Sequence, residues 1–445
     1  MALGLAIGRR VTSASDFLVA GRRLGPGLIF STMLAANIGA GSTVGATAEG
    51  YRTGAAAWWW VGSAAIGSTL LAFWAGPAIR RVAAARNVRT VGDYLEYRYD
   101  ARVRGVVSAL VWIGSIFILG SQLIGLGWIL NVVTGLPKPI GCAIGGVVIT
   151  VYFMAGGLLT SARVNVVQLA VKLVGFAIAV PLAIGAVGGW QAIANVRAGD
   201  AAYADVWRSD VAMGYLIAYA PAFVVSPGLL QKILGARDDR AVRVGVGLNA
   251  LGLFLYAPVP AILGMAARVM DPALANPQQA LPAVLMHALP PLIGALGIAA
   301  VFSAEISAAD AVLMILTSSF SEDLYRRFIA PDADDRRVLR VARATTIVSA
   351  VLGLALAIAA ESIVTIITIF YTLITVTLFV PVLAGLFVPR TTAAGALASI
   401  AGGVGGALAI QLATNGRGWG LVTPALGGLI IATAAWIVSL ARKKR

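Results

Sequence analysis

Apolar residues run along this chain in blocks of roughly 20, punctuated by proline, glycine and clusters of charge, and a helix of that length crosses about 30 Å of hydrocarbon. The blocks fall near 26–50, 54–79, 105–133, 139–157, 161–187, 212–235, 244–267, 291–320, 341–359, 363–388, 392–412 and 419–441. Twelve membrane-spanning helices are therefore predicted. Barrel strands would be about half that length and would alternate apolar with polar, which excludes a β-barrel. Between the second and third blocks, Val82–Arg104 predicts a short amphipathic surface helix. Longer loops are expected at 190–210 and 271–291, none of them a separate domain.

Composition agrees with this pattern. The 445 residues are 59% hydrophobic and 12% charged, with a mean hydropathy of +0.88, so the bilayer is the expected solvent. Met1–Arg10 is too short for a signal peptide and lacks a small-residue cleavage site.

The net charge of +15 could suggest nucleic acid, but it follows the spans. Most of the 34 lysines and arginines fall at one set of alternate loops, at 80–104, 232–243 and 326–343, and at the two ends of the chain. That asymmetry predicts an integral protein of the plasma (inner) membrane with both termini cytoplasmic, the charge setting topology and meeting anionic lipid. With a single cysteine, Cys142, and a single histidine, His287, an internal disulfide and a His/Cys zinc cluster are both excluded. No cofactor is expected. The absence of a Gly-x-Ser-x-Gly elbow, of a His-rich cluster and of paired carboxylates with a water path argues against an enzyme. The spans show no continuous polar pore for a channel.

Two spans carry breaks at corresponding places. The first contains Ala35-Ala36-Asn37-Ile38-Gly39-Ala40-Gly41-Ser42, and the sixth contains Pro221 and then Ser226-Pro227-Gly228. Glycine and proline are ordinary in membrane helices, where they serve packing and kinks. A pair of breaks five spans apart points instead to an inverted-repeat carrier, whose freed carbonyls and half-helix ends bind ions and polar solute at midplane. Ionisable residues inside spans are costly unless paired or wet. Lys172 lies in the fifth, Glu305 and Asp310 in the eighth, and Asn165, Gln168 and Lys172 share one face of the fifth, which is expected to meet the eighth. A structural ion pair and an ion-coupling role are both open at this point.

These stretches together resemble the sodium:solute symporter family. The resemblance runs through Asp16-Phe17-Leu18-Val19-Ala20-Gly21-Arg22, Ala35-Ala36-Asn37-Ile38, Gly50-Tyr51, Thr90-Val91-Gly92-Asp93-Tyr94-Leu95, Gly156-Gly157-Leu158, Leu229-Leu230-Gln231-Lys232, and Ser307 through Glu322-Asp323-Leu324-Tyr325. It implies an all-α membrane protein with the LeuT-type fold, a 5+5 inverted repeat. Residues 1–25 would be a cytoplasmic segment, 26–187 the first repeat, 188–210 an external loop, 211–388 the second repeat, and 389–445 two accessory helices with a basic tail. The family's extra helix before the core is mostly missing from this sequence.

The resemblance implies symport of a small organic solute with sodium by alternating access. Its sodium site would use the carbonyls of Ala35, Ile38 and Ala304 and the Ser307 hydroxyl; the second hydroxyl falls on Ala308 and is lost. An aspartate supporting a second site in some relatives falls on Asn165, while Asp310 is new. Either Asp310, with Glu305, supplies the missing charge and keeps sodium, or Lys172 takes the site and coupling is to protons or absent. Positions that bind hexose in sugar-carrying relatives fall on Ser42, Val61, Ala64, Ile118 and Tyr219, too apolar for a sugar. Aromatic walls from Trp58, Trp59, Trp60, Tyr219 and Phe223, with Gln122 and Ser226, suit an amino acid or monocarboxylate, although Trp58 also fits an interfacial belt. A uniporter or exchanger, and a membrane sensor or scaffold, are the alternative functions.

Overall fold

Proline and capping residues set where most of the helices begin. The computed structural model describes residues 20–154, 158–196 and 201–442. Asp16 to Val19, Gly156-Gly157 and the first basic residues lie outside them. Pro26 opens the first span and Pro291 the eighth, each as a first-turn residue with no amide to lose. Asp100, Asp238, Asp334, Ser362 and Thr392 cap the third, seventh, ninth, tenth and eleventh through their side-chain oxygens.

Among the described residues ten helical runs are long and apolar enough to cross a membrane. The difference from twelve has two causes. The first span is cut into Pro26–Asn37 and a second half that runs on into the second span as one stretch, 41–86, and the fourth, Lys138–Met154, has only 17 residues. The remaining spans are Ala101–Thr134, Leu158–Ala186, Ser209–Val224 with Pro227–Leu234, Asp239–Met270, Pro291–Ile329, Asp335–Ala359, Ile363–Phe387, Ala393–Ala413 and Pro424–Arg442.

The surface helix expected over Val82–Arg104 is shorter than that. The second span extends to Arg86 and stops where Asn87 turns left-handed, at φ 55°. Only Val91–Arg98 forms the surface helix, started by a reciprocal cap between Thr90 and Asp93.

Packing relates the two halves. The first span packs on the seventh and the second on the sixth; the third packs on the tenth and the fifth on the eighth. Adding five to each span number, counted cyclically through ten, converts one pair into the other. The fourth and ninth, which exchange under the same operation, pack on each other, and the last two spans pack mainly together. Exposed side chains such as Val147, Val174, Val351 and Leu412 cover the outside with an apolar surface suited to lipid. At the turn between the first two spans, Gly54 sits at φ 71°, and a Cβ there would fall 1.9 Å from the Tyr203 carbonyl, so glycine lets the loop segment close over that turn.

Candidate functional site

The break in the first span follows from its small residues. After Asn37 the chain leaves helical geometry at Ile38 (φ −90°, ψ 83°) and resumes as a wide turn over Gly41–Gly45. Ser42 holds the break together: its hydroxyl accepts from the Gly39 amide at 3.1 Å and donates to the Asn37 carbonyl at 2.7 Å. From the third span, the Gln122 Oε1 accepts the Ala40 amide at 2.9 Å. Gly39 is required by space, because a Cβ would lie 2.3 Å from the Ala308 Cβ and 2.8 Å from the Gln122 Oε1.

The sixth span breaks one turn later than its first proline would suggest. Pro221 stays within Ser209–Val224, and the interruption falls at Val225 and Ser226, where Ser226 takes ψ 121° before Pro227 restarts the helix.

Breaking the first span frees the carbonyls of Ala35 and Ile38, and both point at one group. Lys172 of the fifth span donates from Nζ to the Ala35 carbonyl at 2.6 Å, to the Ile38 carbonyl at 3.1 Å, and to the Ser307 hydroxyl. Ser307 in turn contacts the Ala35 carbonyl at 2.8 Å and the Ala304 carbonyl at 3.1 Å. Ala308 contributes only a methyl, packed against Gly39. Lys172 is wholly buried. It thus joins three spans through oxygens that the family resemblance had assigned to sodium.

The polar face of the fifth span therefore meets the first span as much as the eighth. Asn165 donates to the Thr32 hydroxyl at 3.1 Å, in line with the Lys172 contacts above it. Of the two acids on the eighth span, Glu305 is the one that acts electrostatically on Lys172, whereas Asp310 acts on Lys232. Glu305 is also wholly buried. Its Oε1 lies 2.9 Å from the Thr43 hydroxyl, the Ala40 amide also acts on the carboxyl, and Oε2 makes no hydrogen bond of good geometry with a described residue. Gly125 on the third span makes room for this carboxyl, since a Cβ there would be 3.2 Å from it.

Beside this cluster lies a cavity of about 80 Å³ between the two broken spans. Ser42, Val61, Gln122, Tyr219, Phe223 and Ser226 all line it, as do Ala64 and Ile118. Of the three adjacent tryptophans only Trp60 does so. Trp58 packs edge-on against Phe254, and the Trp59 indole donates to the Val206 carbonyl at 2.8 Å, because a helix points three consecutive residues in three directions. Sequence reading missed Phe370 and Tyr371 of the tenth span and Lys232 of the sixth as lining residues. Tyr371 lies 4.8 Å from Tyr219 in an edge-on ring pair, and Trp60 lies 4.9 Å from Tyr219. Nothing separates two aromatic residues of a largely apolar span from ordinary packing by sequence alone, but Lys232 carried a signal, being charged within an apolar helix.

At the arginine-rich end, Arg104 holds three acids together. It lies 2.8 Å from Asp93, 2.9 Å from Glu96 and 2.8 Å from Asp323, and Glu96 also pairs with Arg327 at 2.6 Å. Thr90 donates to Asp323. These contacts join the surface helix, the start of the third span and the end of the eighth.

Comparison with known proteins gives a consistent result. The profile of the Sodium:solute symporter family matches residues 17–403. The human high affinity choline transporter 1 is 25% identical over 408 residues, covering 87% of this chain and 69% of that protein. The sodium/pantothenate symporter of Escherichia coli (strain K12) is 25% identical over 456 residues, covering 96% of this chain and 90% of its own. A Na+-coupled sialic acid symporter solved in a substrate-bound outward-open state superposes with a TM-score of 0.83 at 19% identity, covering 99% of this chain and 95% of that one.

Proposed function

Because the chain belongs to the sodium:solute symporter family, we propose that it moves a small organic solute, such as an amino acid or monocarboxylate, by alternating access, with the Lys172 ammonium standing where a coupling sodium ion would bind. The observation that supports this is the set of oxygens around Lys172: the carbonyls of Ala35 and Ile38 and the Ser307 hydroxyl. Sodium and an ammonium make the same demand, a single positive charge surrounded by oxygens. Both cannot fill one site, and the lysine is covalently present at a far higher effective concentration.

A tethered cation cannot cross the membrane with the solute, so this site stores no sodium gradient. It holds the first, fifth and eighth spans together, and the oxygens are released only when the ammonium withdraws or loses a proton. Glu305, buried and close enough for its charge to act on Lys172 without pairing with it, is the nearby group suited to exchange that proton. The solute would sit in the cavity lined by Ser42, Val61, Gln122, Tyr219, Phe223 and Ser226, with the arginine-rich end facing the cytoplasm.

A second reading keeps sodium. Glu305, beside the Thr43 hydroxyl, offers a carboxylate and neighbouring oxygens for a small cation. Uptake by purified protein in liposomes, with sodium and pH gradients imposed independently and counterflow measured without either, separates the two. Uptake indifferent to sodium supports the Lys172 reading; uptake that requires inward sodium supports the Glu305 reading and overturns the first.

A further inference from the structure

The cavity between the two broken spans holds a single charged side chain among its described lining residues, Lys232. Lys232 lies on Pro227–Leu234, the second half of the broken sixth span, and is 4% exposed. It lines the cavity, and its ammonium makes no hydrogen bond or ion pair with any described residue. Asp310 is within electrostatic reach but does not line the cavity, and no lining residue is an aspartate or glutamate.

Two of the other polar side chains lining the cavity have donors to offer, while Asn37 spends its Nδ2 on Asn249. Gln122 spends its Oε1 on the Ala40 amide, leaving Nε2 with a single contact of 3.4 Å to Ser121. The Ser226 hydroxyl also lines the cavity, beside the half-helix that carries Lys232. Trp60 and Tyr219, paired edge-on, add an aromatic wall to the cavity.

We propose that the solute is a small carboxylate and that Lys232 is its counter-charge. A lysine buried at this depth with no hydrogen bond or ion pair, and only the more distant charge of Asp310 acting on it, is costly, and a bound carboxylate offsets that cost while accepting from Gln122 and Ser226. The aromatic wall could by itself attract a cation, but a cation here would meet the Lys232 charge with no acid lining the cavity to neutralise it. The inference rests on reading this cavity as the solute site and does not depend on which ion drives transport.

The test is ligand binding by the purified full chain without sodium, read as a rise in unfolding temperature and as a change in tryptophan fluorescence. The probes are propionate, pyruvate and L-proline, with propionamide and choline as uncharged and cationic controls. The proposal expects at least one carboxylate to bind and both controls to fail. Lys232→Gln should weaken that binding by about tenfold or more, and Lys232→Arg should stay within a few-fold of the parent. Tighter binding of choline or propionamide than of every acid, no binding of any acid, or unchanged affinity in Lys232→Gln overturns it. Should Lys232→Gln fail to fold, Lys232→Arg and the acid–amide comparison on the parent decide the matter. Adding sodium to the same titrations reads the Lys172 proposal separately, since a sodium-specific gain in affinity contradicts that proposal and leaves this one standing.

Discussion

The Lys172 Nζ lies 2.6 Å from the Ala35 carbonyl oxygen, so a side chain of the fifth span closes the gap left by the broken first span. An isolated lysine at the centre of a membrane helix costs about 2.5–3.5 kcal/mol on insertion scales. Here the Ala35 and Ile38 carbonyls and the Ser307 hydroxyl meet it; Ser307 also donates to the Ala35 carbonyl, so the Ile38 carbonyl is the one that depends on the ammonium. Lys172→Met should leave the Ile38 carbonyl without a donor and weaken the junction of three spans, lowering stability by about 1–3 kcal/mol. A scan of unfolding temperature at fixed rate checks this, and a variant as stable as the parent would count against the role given to Lys172.

Removing the lysine while restoring the lost hydroxyl should create what the parent lacks. Lys172→Ala combined with Ala308→Ser presents the Ala35 and Ile38 carbonyls and two hydroxyls to an empty site. Sodium should then raise the unfolding temperature in a saturable manner, as any ligand that binds only the folded state does. Ala308→Ser alone should not, because the ammonium still fills the site. Sodium-induced stabilisation in the single variant equal to that in the double would contradict this.

Gly39 tests the close approach of the first and eighth spans. A Cβ at Gly39 meets the Ala308 Cβ, which has no rotamer to yield with, and the Gln122 Oε1, which is held by the Ala40 amide. Gly39→Ala should cost about 1–3 kcal/mol of stability by overpacking and should reduce solute uptake more than Gly45→Ala, where a Cβ meets its nearest neighbour only at 3.3 Å. Equal uptake in the two variants would show that the break tolerates a side chain.

The arginine-rich end should respond to acid through Glu96. Partial burial disfavours its charge, but hydrogen bonds from Arg327 and Arg104 outweigh burial and hold the carboxyl below its ordinary value of 4.5. A depressed value means the contribution to stability is fully present above that ordinary value and fades as pH falls through the lower folded one. Glu96→Gln should therefore lose stability less steeply than the parent below about pH 4.5, with little difference in slope near neutrality. Parallel acid profiles would remove Glu96 from the account.

Much of the fold was legible because a membrane imposes one length and one polarity on every span, and proline, glycine and charge mark the ends. The first-span break was readable from Gly39, Gly41 and Ser42. In the sixth span two signals competed: Pro221 is absorbed within a helix, while Ser226-Pro227 makes the interruption. Cavity residues read from polarity or from family positions do line the cavity, but Phe370 and Tyr371 lie beside a stripe of Thr365, Thr368, Thr372 and Thr375, the only periodic mark on this span, and that stripe does not point to the two aromatic residues themselves. The Arg104–Asp323 pair joins residues 219 positions apart, and pairing at that distance is a property of the fold. Which acid acts on Lys172 was open for the same reason: Glu305 and Asp310 lie on one helix, and only the packing of the first, third and fifth spans around it separates their surroundings.

If Lys172 stands in the place of a coupling sodium ion, the unfolding temperature of the purified parent protein should report it as sodium replaces potassium at constant ionic strength and pH. The account predicts no sodium-specific, saturable rise in the parent and a clear one in Lys172→Ala with Ala308→Ser. A saturable rise in the parent that persists in Glu305→Gln would show that sodium reaches the Lys172 oxygens with the lysine present, and would contradict it.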